Sequence, residues 1–156
     1  QTAPKKRALL QACRAAPKNG VGAEPPVVKA VEEAAAALDP LCRPEPARMP
    51  LEGVWDLVYT TNTGGSSGQL GPLVGDVTQI FVDSKRYTNR VSLFGGAVAI
   101  SLDADREVLD DVSQRVTFTA MSLSLFGTEV FRKSMDTRRG GVWRQRYVDE
   151  DLRVIE

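Results

Sequence analysis

The chain has 156 residues, enough for one domain with a real core. Its 20 basic and 20 acidic residues cancel, which argues against a nucleic-acid binder, and no apolar run is long enough to span a bilayer. Histidine is absent, removing the commonest general base and metal ligand, and two cysteines cannot by themselves complete a four-ligand zinc site.

The first 50 residues read as helical. KKRALLQACRAA (5–16) places Leu9, Leu10 and Cys13 on one side. After a turn near Pro17 to Gly22, PPVVKAVEEAAAAL (25–38) carries Val27, Val28, Val31, Ala35 and Leu38 at helical spacing. Pro25 and Pro26 suit a helix start and Pro40 a stop. Arg43 to Pro50 holds three prolines and reads as an extended linker.

From Leu51 onward the period becomes two. Trp55, Leu57 and Tyr59 alternate with polar or smaller partners, and the loop from Thr60 to Gly68 then offers no apolar face. That loop is either a mobile rim that admits a ligand or partner, or a solvated connection. Strands follow over 75–83, 86–94, 97–105, 114–127, 128–134 and 142–149, and DLRVI closes the chain. The apolar phase slips by one between Ala120 and Met121, which predicts a β-bulge or a strand break. RRGG (138–141) reads as a turn. No internal repeat stands out, and the loop after the first strand has little apolar content, so no membrane-inserting loop is evident there. The expected architecture is mainly β: residues 1–50 form a helical segment and proline-rich linker, and residues 51–156 form an antiparallel barrel.

A barrel of this size holds at most one small ligand. The candidates for its lining are Trp55, Leu57, Tyr59, Phe81, Tyr87, Val91, Phe118, Trp143 and Tyr147. Gln79, Asn89 and Gln145 are candidates to orient a polar headgroup, or they face solvent. Gly53-x-Trp55 opens the first barrel strand as in lipocalins, and Arg153 is the candidate cation to pack on Trp55 and close the barrel. Cys13 and Cys42 are either a redox pair or buried free thiols. Asp149, Glu150 and Asp151 offer paired carboxylates, but three acids in a short connection read first as a solvated turn. No nucleophile–base pair and no phosphate-cradling glycine loop before a helix is present.

The motifs LEGVWDLVYTT (51–61), GPLVGDVTQ (71–79) and WRQRYVDEDLRV (143–154), in this order behind a helical start, carry a resemblance. The chain resembles the plastid lipid-associated proteins, also called plant fibrillins or plastoglobulins. The resemblance implies a lipocalin-like barrel in the chloroplast, stroma-facing at thylakoids or plastoglobules. It implies a non-catalytic protein that needs no cofactor and binds a hydrophobic prenyl-lipid, quinone or carotenoid, or docks on a lipid surface. A stromal location would make a Cys13–Cys42 bond a redox staple. The alternative is an accessory subunit of a thylakoid protein complex, with a filled barrel and no ligand. Family members continue beyond DEDLR with a further strand, so a barrel open at one edge, or short of its last strand, is expected here.

Overall fold

A computed structural model describes residues 1–136 and 139–156. Two helices lead: α1 (Thr2–Ala15) and α2 (Pro25–Ala36). Each buries residues four apart, Leu9 and Cys13 on the first, Val31 and Ala35 on the second. Leu38, just beyond α2, continues that stripe and is fully buried. Among the described residues no helix is long and apolar enough to cross a membrane.

The strands are β1 (Gly53–Asp56), β2 (Gln69–Leu70), β3 (Leu73–Val74), β4 (Asp76–Phe81), β5 (Arg86–Leu93) and β6 (Val98–Val108). They continue with β7 (Ser113–Leu125), β8 (Thr128–Ser134), β9 (Gly140–Val148) and β10 (Arg153–Ile155). The turn expected over 138–141 falls partly outside the described residues. Strand makes up 44% of the chain and helix 25%, so the class is mainly β.

All main-sheet pairings are antiparallel, in the order β1-β4-β5-β6-β7-β9-β10. Strand β7 is shared: Ser113–Thr117 pair with β9, and Ala120–Leu125 pair with β8. The sheet is a curled, open half-barrel, open at an edge as expected, rather than a full antiparallel barrel. The end strands β1 and β10 do not pair with each other, and the sheet also forks at β7, which changes partner along its length. Strands β1 and β10 stand as its ends, and β8 as a further edge.

The predicted phase slip is a bulge. Asp103 faces Ala120 and Ala104 faces Phe118, so Thr119 is the extra residue. The first barrel strand is shorter than its pattern, because Tyr59 leaves the sheet, and Asn19 makes an isolated parallel bridge with it. The proline-rich stretch is also more than an extended linker. It folds into a 3-10 turn at Pro46–Arg48, and Gln114 Nε2 donates to the Ala47 carbonyl at 2.5 Å.

Two cores result. Leu9, Cys13, Val31, Ala35, Leu38 and Tyr147 form the helix-side core. Leu51, Phe81, Tyr87, Ala104, Val116 and Val148 fill the hollow of the sheet. The helices are tied down by charge as well. Arg146 lies 2.9 Å from both Glu32 and Asp39, and Lys6 lies 2.8 Å from Asp149.

Candidate functional site

At one end of the half-barrel, Arg153 collects the aromatic candidates. Its guanidinium carbon stands 5.7 Å from the Trp55 ring, 5.0 Å from Phe81 and 5.1 Å from Trp143. Arg153 Nη2 donates to Gln79 Oε1. Arg106 approaches Phe81 at 4.9 Å, and Tyr87 packs between Phe81 and Trp143 with both ring centroids at 5.1 Å. Burial pushes the Arg153 guanidinium down to about 10; Tyr87 favours its charge and Arg106 opposes it. Burial pushes the Tyr87 hydroxyl well above its ordinary range. Arg153 Nη1 and both amide atoms of Gln145 are buried without a hydrogen-bond partner in the protein. The chemistry on offer is donation to an acceptor group beside aromatic rings.

The structure brings Trp55, Gln79, Phe81, Tyr87, Phe118, Trp143 and Arg153 into or around this interior. Asn89 and Val91 are buried further along β5, Leu57 is half-buried beyond β1, and Gly53 starts β1 opposite Phe81. Two expected lining residues are corrected: Tyr59 and Tyr147 pack in the helix-side core. For Tyr147 the cause is a bulge. Val154 faces Tyr147 but Ile155 faces Gln145, so Arg146 is extra and the strand changes phase there. Cys13 and Cys42 are free thiols that pack in the same helix-side core, and burial raises the Cys13 pKa.

Asp149 and Asp151 form a structural turn. Asp149 accepts from Lys6, from the Tyr147 hydroxyl, and from the backbone amides of Asp151 and Leu152. Among the described residues no group of acidic, cysteine or histidine side chains could hold a metal.

The opposite end carries a different feature. The hairpin from Gly68 to Gly75, the turn after β5 and the turn after β7 meet there. Gly75 N donates to Gly68 O at 2.9 Å, and Phe126 N donates to Ala97 O at 2.8 Å. Gly75 lies so close to Ser92 that a Cβ would sit 2.6 Å from its carbonyl oxygen. The expected rim loop ends here, but it is tied rather than loose: Asn19 Nδ2 donates to the carbonyls of Ser67 and Gly75, each at 2.9 Å. Phe94 is 71% exposed and Phe126 86% exposed. Sequence reasoning missed these two. The available signal was the tetrapeptide Ser-Leu-Phe-Gly, present at 92–95 and again at 124–127.

The chain matches the family model PAP_fibrillin over residues 3–155. It belongs to the fibrillin family of plastid lipid-associated proteins. No curated protein and no solved structure matches it. The family is generally structural and lipid-associated rather than enzymatic, and it implies association with plastids and plastoglobules. In this fibrillin-family chain the interior is occupied by its own side chains, and the two most exposed large apolar side chains among the described residues, Phe126 and Phe94, stand at the hairpin end.

Proposed function

We propose that this chain is a non-catalytic plastid protein that docks on a lipid surface, at the stromal face of thylakoids or at plastoglobules. The observation that carries this reading is the distribution of apolar groups. The hollow of the sheet is filled by Leu51, Phe81, Tyr87 and their neighbours, while large apolar side chains such as Phe94, Phe126 and Phe131 stand exposed. A filled core leaves little room for a stored pigment. An exposed patch needs something apolar to cover it.

A second reading is favoured by the orphaned polar atoms inside. Arg153 Nη1 and the Gln145 amide suit a carrier whose ligand, a prenyl-lipid, quinone or carotenoid, presents an oxygen acceptor. Co-flotation of the purified chain with vesicles of plastid lipid, followed by organic extraction of the protein, tests both. Flotation with nothing extracted supports docking. A stoichiometric extracted lipid without flotation makes it a carrier. Recovery only inside a larger assembly, with neither, makes it an accessory subunit of a thylakoid complex.

A further inference from the structure

We infer that the two Ser-Leu-Phe-Gly turns form a paired anchor that sinks Phe94 and Phe126 into a lipid surface with no net charge. This rests on the docking reading and names its contact site and its partner's chemistry.

The two turns are neighbours. Leu125 pairs with Val98, and Phe126 N bonds Ala97 O at the foot of the Phe94 turn. Both phenylalanines hold a left-handed backbone, φ 52° at Phe94 and 49° at Phe126, each followed by a glycine at positive φ. The turn after β7 is a two-residue hairpin loop with positive φ at both positions, a geometry that favours Asn-Gly. A bulky side chain there is a conformational outlier. Neither ring belongs to either core. So local geometry disfavours phenylalanine at both places and the fold gains no core packing from it. Backbone outliers of this kind cluster at functional sites.

The charge pattern selects the partner. Residues 61–75, 91–102 and 116–128 contain no Asp, Glu, Lys or Arg. The charges bordering this end are paired within the protein: Lys18 with Asp76 at 2.8 Å, and Arg132 with Glu129 and Asp103, each at 2.8 Å. Among the described residues of this end no cluster of basic residues is offered to an anionic membrane, and no charge on the tips has to be desolvated to enter lipid. Residues 82–86 and 105–111, at the far end of the same strands, carry eight charged groups: Asp83, Lys85, Arg86, Asp105, Arg106, Glu107, Asp110 and Asp111. Charge is therefore polarised along the strands: the hairpin end presents its tips without charge, while at the far end the exposed Val82, Val108, Leu109 and Val112 stand among charged groups. Leu73, 41% exposed on the adjoining hairpin, adds a third apolar tip.

The test is co-flotation of the wild-type chain and the Phe94→Asn/Phe126→Asn double variant. The probes are phosphatidylcholine vesicles and vesicles with added phosphatidylglycerol, at low and high salt. Asparagine suits both turns, so the variant is expected to fold and to melt no lower than wild type. The wild type is expected to float on both vesicles regardless of salt, and the double variant to lose about tenfold or more in partitioning for each ring removed. A double variant that floats like wild type overturns the anchor and leaves docking intact. Wild-type flotation only on anionic vesicles, stripped by salt, overturns the assignment of an uncharged surface. Failure of the wild type to float on either vesicle removes the docking reading and the anchor with it.

Discussion

Arg153 on β10 reaches across the open side of the half-barrel and donates a hydrogen bond to Gln79 on β4. No backbone pairing joins β1 to β10, so this side-chain contact and the stacking of Arg153 on Trp55 span the gap that a closed barrel would bridge with a ladder. Truncation to Arg153→Ala leaves Gln79 without its donor and opens space among three rings. It is expected to cost about 2–3 kcal/mol. Arg153→Met, which keeps bulk and removes a charge penalised by burial, is expected to cost less. Urea unfolding followed by tryptophan emission reads both, since Trp55 and Trp143 are the two tryptophans of the chain and both pack on Arg153.

Acid is expected to loosen α1 first. Burial alone would raise the Asp149 carboxyl, but hydrogen bonds from Lys6 and Tyr147 hold it far below the usual carboxylate range. A carboxylate whose folded pKa is depressed contributes stability above its unfolded pKa, about 4, and loses that contribution as pH falls toward the folded value. Asp149→Asn should flatten stability against pH below about 4 and cost about 1–2 kcal/mol near neutrality. Burial opposes the charge of Lys6, yet Asp149 and Asp151 push its pKa up to about 12. That raised value works in the opposite sense: its contribution is complete below about 10.4 and disappears as pH rises through 12. Circular dichroism melts from acid to alkaline pH check both. An unchanged profile in Asp149→Asn would contradict the linkage.

The Phe126 turn predicts a stabilising substitution on a surface that touches nothing. Phe126→Asn is expected to raise stability by about 1 kcal/mol, or about 2–4 °C in Tm. A lower melting temperature would mean that the ring packs on the fold in solution.

Much of this fold is legible in the residues. The helical stripes of α1 and α2 and the alternation from β4 to β8 lie within a few positions of their patterns, because burial on one side imposes its period. The slip near Ala120 is a real bulge at Thr119. Closure is not legible in any local pattern, because whether β1 and β10 pair is a long-range property; the open edge is expected from the resemblance alone. The fate of Tyr147 is hidden too: one extra residue, Arg146, turns its ring from the sheet hollow to the helices. Phe94 and Phe126 escape notice because the usual signal for a left-handed turn is Asn-Gly, so each SLFG reads as the end of a strand.

Thiol reactivity follows from the same packing. Cys42 is half-buried and Cys13 buried, with its thiolate disfavoured by that burial. Maleimide labelling of the native chain should modify Cys42 first, and Cys13 only on unfolding. Equal rates would contradict the helix-side core as described.

The most direct test of the account is amide hydrogen exchange of the chain with and without phosphatidylcholine vesicles. Docking through the hairpin end predicts slowed exchange confined to residues 69–74, 93–98 and 125–128, with 82–86 and 105–111 unchanged. Protection centred on the charged end, or none at all, would contradict it.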